Sequence, residues 1–135
     1  MLVYHGCQKM KSSISHAVLD IKSRKKKAST IIGILKYYKD IKNSRILDIG
    51  TGSGVIAHEI GKISKYVYSV DVVDERIVKS RFVFKKIKNE RLPFDDNGFD
   101  IVVSNHVMAH VVNDEMHIKD IDRVLVKIKD LRDEA

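Results

Sequence analysis

A chain of 135 residues has room for one domain with a single core, and its 44% hydrophobic and 32% charged residues exclude a disordered chain. The net charge of +7 and pI of about 9.5 favour acidic partners, nucleic acid or anionic lipid, without establishing one. No apolar run approaches the ~20 residues of a membrane helix, and the single cysteine, Cys7, rules out an internal disulfide and a cysteine-rich zinc site.

The opening MLVYHGCQKMKSS lacks the apolar core and cleavage site of a signal peptide, so a cytoplasmic location is expected. Ile14, Ala17, Val18 and Ile21 then follow helical spacing, with Ser12 or Ser13 as the cap. A second helical stripe runs through Ala28, Ile31, Leu35 and Tyr38. Between the two stripes stand Lys22, Arg24, Lys25, Lys26 and Lys27, which either join them into one long helix or mark a bend. Such a basic run reads as a solvated helix face, as a nucleic-acid contact or as an attractor for a phosphorylated substrate.

After Asn43 and Ser44 comes Arg45-Ile46-Leu47-Asp48-Ile49, a buried strand ending at Gly50. Ile56, Ile60 and Ile63 mark the following helix, which ends near Gly61 or a few residues later. Tyr66–Asp71 is the second strand, Phe82-Val83-Phe84 a third, and Phe99–Asn105 a fourth, entered from a turn at Asp95-Asp96-Asn97-Gly98. Ile118, Ile121, Leu125 and Ile128 place a last helix after Asn113 or Asp114, continuing to the end of the chain. Strand–helix alternation predicts an α/β, Rossmann-like, mostly parallel sheet of about four strands. The chain divides into a helical lead-in (1–42), strands and a glycine loop (45–112) and a terminal helix (113–132), all in one domain.

The chemistry lies in Asp48-Ile49-Gly50-Thr51-Gly52-Ser53-Gly54, which joins a strand to a helix. Glycines let the backbone turn and approach a ligand where a Cβ would collide, and the helix behind it offers free N–H groups to an anion. The spacing does not fit a dinucleotide fingerprint, because Val55 stands where its third glycine belongs, and no P-loop is present. An ordinary tight turn is the bland alternative. Asp71, seventeen residues after Gly54 at the end of the second strand, raises the odds of a nucleoside site. A carboxylate there can accept from both hydroxyls of a ribose. The bland reading of Asp71 alone is a helix cap or a solvated strand end.

ILDIGTGSG, YSVDVVDERI and LPFDDNGFDIVVSNHVMAHV, in this order, resemble the first motifs of class I S-adenosylmethionine-dependent methyltransferases, in particular the group called type 11. The resemblance covers roughly residues 24 to 126. It implies S-adenosylmethionine as cofactor. Asp48 would organise the loop or reach the methionine amine through water, and Gly50, Thr51, Gly52 and Gly54 would surround the methionine. Asp71 would hold the ribose and Val72 would lie against the adenine. Asn105 and His106 would face the methyl group and an unknown acceptor.

Two departures from the family stand out. Only twenty-one residues separate Asp71 from Leu92, leaving about two helical turns near Asp74–Ser80, and Lys88 replaces the acid that usually receives the adenine amino group, with Asn89 as a substitute. The second is the terminal stretch RVLVKIKDLRDEA, which reads as helix where the family turns into a fifth strand. The fourth strand would then be an open edge calling for a second copy or a partner subunit, or the chain would be a fragment.

His106 and His110 are the candidate general bases, should the acceptor arrive protonated, with packing or surface histidines as the alternative. His5, His16, His58 and His117 show no ligand-like spacing with carboxylates, and no metal site is expected. The fourth strand ends Ser-Asn-His-Val, without the Asn-Pro-Pro-aromatic motif of nucleic-acid amino methyltransferases. Three functions stand: a methyltransferase, most simply a homodimer; a non-catalytic cofactor-binding subunit or decayed homologue; and a basic nucleic-acid-binding protein.

Overall fold

The computed structural model of the chain describes residues 14–37, 40–88, 91–104 and 114–126. One long helix, α1 (Ile14–Leu35), carries the first apolar stripe, the basic run and the second stripe as far as Leu35 without a break. A short 3-10 turn (Ile41–Asn43) leads into β1 (Arg45–Ile49), followed by α2 (Val55–Gly61), β2 (Tyr66–Asp71), β3 (Val83–Lys86), β4 (Ile101–Ser104) and α3 (Asp114–Val124). The strands form one sheet in the order β3-β2-β1-β4, and every pairing is parallel. This is the Rossmann-like arrangement expected.

Alternation along β1 divides the core. Ile46 and, on β2, Val67 face α1 and α2, where Ala28, Leu35, Ile56, Ala57 and Ile60 bury against them. Leu47, Ile49 and Val70 face the other way, onto Leu92, Phe99 and Val124. There Tyr68, Phe94 and Phe99 pack edge-to-face with centroids 4.9–6.2 Å apart. Two independent layers therefore clamp the sheet, and all loops that follow strand ends emerge on one side. Among the described residues no helix is long and apolar enough to cross a membrane.

Several expectations need correction. The third strand is Val83–Lys86, one register step later than Phe82–Phe84, because β2 pairs Tyr68 with Val83 and Asp71 with Lys86. No helix forms near Asp74–Ser80. The amides of Ile77 and Val78 donate instead to Ser53 O at 2.8 and 3.0 Å, and Asp74 binds the backbone amide and guanidinium of Arg76. These bonds compete with the i→i−4 ladder and replace it.

The helix α2 ends at Gly61, the earlier of the expected ends, so Ile63 of its stripe lies beyond it. A Cβ on Gly61 would stand 2.2 Å from Arg81 O, so glycine is required where the irregular segment crosses the helix. Lastly, α3 does not continue through Leu125. Leu125 pairs in parallel with Phe99, and Val126 N donates to Phe99 O at 2.8 Å. Its buried stripe is also displaced by one residue: Ile118 is 56% exposed, while His117 and Val124 are buried. The regular part of the fourth strand starts at Ile101, since Phe99 pairs on its outer side. Ser12, Ser13, Tyr38, Asn113 and Ile128 lie outside the described residues.

Candidate functional site

The glycine loop leaves β1 between two strands and is bound chiefly to β2. Gly50 N and Thr51 N both donate to Val70 O, at 2.9 and 3.2 Å. Gly50 and Gly52 hold φ of 90° and 52°, a region in which side chains are disfavoured. A Cβ on Gly52 would meet nothing within 4 Å, so its α-carbon faces open space. Gly54 differs. Its Cβ would lie 2.2 Å from Val78 O, so this glycine admits the chain's own 72–82 segment rather than a ligand.

Under the loop runs a buried hydroxyl chain. Thr51 Oγ1 lies 2.5 Å from Ser69 Oγ, which donates to Asp48 Oδ2 at 2.9 Å. Asp48 is only 1% exposed. Burial raises its carboxyl, the Ser69 hydrogen bond pulls it down and the nearby Asp71 charge raises it, with a net rise to about 7. Sequence reasoning missed Ser69. The available signal was a lone small hydroxyl within Tyr66–Asp71, on the same face of β2 as Val67.

Asp71 closes the site. Its Oδ2 accepts from Gly52 N at 3.0 Å and its Oδ1 from Val72 N at 2.7 Å. One carboxylate thus ties the loop crest to the end of β2. Val73 N also approaches Oδ1, at 3.5 Å. A carboxylate has about four acceptor positions, so the capacity for a further donor lies on Oδ2. Beyond it Val72 and Val73 are each 50% exposed, an apolar surface beside the loop.

The structure brings Asp48, Gly50, Thr51, Gly52, Asp71 and Val72 to the carboxyl ends of β1 and β2, where open α/β sheets bind ligands. Gly54 sits one turn behind. Asn89, Asn105, His106 and His110 lie outside the described residues, while Lys88 is exposed. On α1, Lys22, Lys25 and Lys26 are exposed, and Arg24 and Lys27 are half-buried.

The family described as a methyltransferase domain matches residues 47–127, three-fifths of the chain and all of the site above. The chain belongs to the methyltransferase domain family. Among curated relatives of this methyltransferase domain is the ubiquinone biosynthesis O-methyltransferase of Pelagibacter ubique. It is 26% identical over 97 residues, covering 66% of the chain and 40% of that protein. Among solved structures, the YcgJ protein of Bacillus subtilis superposes with a TM-score of 0.61 at 25% identity, over 70% of the chain and 44% of YcgJ.

The phosphoethanolamine N-methyltransferase 1 of Haemonchus contortus, solved with phosphoethanolamine and S-adenosylhomocysteine, has the same fold. Its TM-score is 0.62 at 19% identity, over 80% of this chain and 24% of that one. The methyltransferase domain here therefore spans less than half the length of the curated relatives it matches.

Proposed function

We propose that the chain binds S-adenosylmethionine on its glycine loop and is an S-adenosylmethionine-dependent methyltransferase acting on an acceptor of unidentified class. The observation carrying this reading is the Asp71 carboxylate, joined to Gly52 N at 3.0 Å and keeping an acceptor position on Oδ2 for a ribose hydroxyl. The open space over Gly52 suits a ligand backbone lying close, and the half-exposed Val72 suits an adenine face. Asp48 and Thr51 would organise the loop from below. Gly54 would act at one remove, through the loop's shape.

The cofactor, when bound, supplies an activated methyl on a sulfonium that leaves as a neutral thioether. The chain's own contribution is then to hold the loop, exclude water and align the acceptor. His106 or His110 would accept a proton from an acceptor that arrives protonated, and Asn89 and Asn105 would complete the pocket.

Calorimetry tests the reading directly. S-adenosylhomocysteine is expected to bind with micromolar affinity, and Asp71→Ala to weaken it by ~1.5–3 kcal/mol, as for hydrogen bonds to a charged group. A wild-type chain that binds nothing would remove the methyltransferase reading. Binding without turnover of any methyl acceptor would favour the non-catalytic cofactor subunit. The exposed Lys22, Lys25 and Lys26 leave nucleic acid as a partner to assay, though not the favoured one.

A cytoplasmic homodimer completes the proposal. Among the described residues β4 pairs with β1 on one side, while on the other only Phe99, two residues before the strand, is matched. Ile101, Val102 and Val103 are half-buried along that edge, and an apolar strand edge attracts another chain. Light scattering at micromolar concentration is expected to give twice the 15.4 kDa of one chain, with ~1,200 Å² or more buried in total. A folded monomer would contradict it.

A further inference from the structure

On the α3 side of the sheet, away from the glycine loop, α3 and the residues leading into Phe94 enclose a second concavity. Its volume is about 280 Å³, and it is lined by Arg91, Met116, His117, Lys119, Asp120 and Arg123. That is near the lower end of the size range of small-molecule sites. None of the residues of the cofactor loop takes part in it.

His117 is the unexplained group. It is only 3% exposed, and among the described residues neither of its buried ring nitrogens has a hydrogen-bond partner. A neutral imidazole has one donor and one acceptor to satisfy, and buried polar atoms in native proteins nearly always find partners. Nor do the neighbouring charges serve it.

Asp120 and Arg123 are committed to the fold. Asp120 Oδ2 accepts from Leu92 N at 2.6 Å and Oδ1 from Arg123 Nε at 2.7 Å. The rest of the Arg123 guanidinium donates to Leu92 O, Phe94 O and Asp96. This clamp makes the walls rigid. Lys119 is exposed and pairs with the exposed Glu115 at 3.2 Å, a pairing that water screens. Arg91, Lys119 and Arg123 give the lining three cationic side chains beside Asp120, with Glu115 and Asp96 paired to Lys119 and Arg123. Met116 adds an adaptable thioether wall.

We propose that this cavity binds a small carboxylate with an apolar body, the carboxylate taking the His117 N–H and the cationic rim, and the body lying against Met116 and the aliphatic stems. The site is separate from the cofactor loop and does not depend on what the loop binds.

Benzoate is a suitable probe of the 135-residue chain, followed through the His117 ring nitrogens by nuclear magnetic resonance. Benzoate is expected to move the His117 signals saturably, while benzyl alcohol and inorganic phosphate leave them in place. Lys119→Ala, a change at an exposed position that the fold tolerates, is expected to weaken benzoate several-fold. His117→Phe is expected to abolish binding. S-adenosylhomocysteine is expected not to displace the probe.

Unmoved His117 signals would overturn the proposal. Equal binding of benzyl alcohol would show that charge plays no part, and equal binding of phosphate that the apolar body plays none; each overturns it. So would full affinity in Lys119→Ala, or competition with S-adenosylhomocysteine, which would make the cavity part of the cofactor site. Should His117→Phe fail to fold, the wild-type titration and Lys119→Ala decide the matter.

Discussion

Gly52→Val is expected to abolish binding of S-adenosylhomocysteine while the chain still unfolds cooperatively. The α-carbon of Gly52 faces open space, with nothing within 4 Å of a Cβ built there. A valine side chain therefore occupies the volume proposed for the ligand instead of colliding with the core. The cost to the fold is conformational, because φ is 52° and a side chain in the left-handed region costs roughly 1–2 kcal/mol. Gly54→Val is the contrasting variant. Its Cβ would lie 2.2 Å from Val78 O, so backbone must move and stability is expected to fall along with binding. Thermal melts paired with calorimetry separate the two. If Gly52→Val loses its cooperative melt as well, the loop crest is structural and the proposed role of Gly52 is wrong.

Asp48→Asn is expected to stabilise the chain at neutral and alkaline pH and to flatten its pH dependence. Burial raises the Asp48 carboxyl from 3.8 to about 7, so the folded state holds a proton that the unfolded state has released. Below about pH 4 both states are protonated and the residue makes no pH-dependent difference. As pH rises from 4 to 7, the unfolded state is progressively favoured by ionisation. Above 7 the penalty is complete, on the order of 4 kcal/mol at about 1.4 kcal/mol per pH unit.

An asparagine can still accept from Ser69, and it carries no charge to desolvate. Urea titrations of both proteins between pH 4 and 8 are expected to diverge steadily, with the variant the more stable at pH 8. Parallel curves would show that Asp48 is not the source.

The glycine loop and its partner acid were legible in the residues because each obeys a local rule. Positive φ at Gly50 and Gly52 requires glycine, and a carboxylate at the end of a β-rich run lies at the sheet's carboxyl edge whatever packs around it. The parallel sheet followed from strand–helix alternation, and α1 from its 3.6-residue stripe. Local rules are short-ranged, and these elements needed nothing more.

Other features depended on which distant group supplied a hydrogen bond. The resemblance leaves room for two helical turns at residues 74–80, yet Ser53 O captures the Ile77 and Val78 amides. The stripe of α3 runs on through Leu125 in sequence, but Phe99 withdraws Leu125 and Val126 into extended pairing. Gly54 looks like its neighbours in the motif, and only the approach of Val78 O separates its role from theirs. Ser69 and His117 carry no motif. Burial against Asp48 and against the Arg123 clamp gives them meaning, and burial belongs to the assembled chain. The sequence by itself determined the sheet, the loop and the acid that faces it. Tertiary structure decided where the helices stop and which polar groups are left without water, because both turn on competition between partners far apart in the chain.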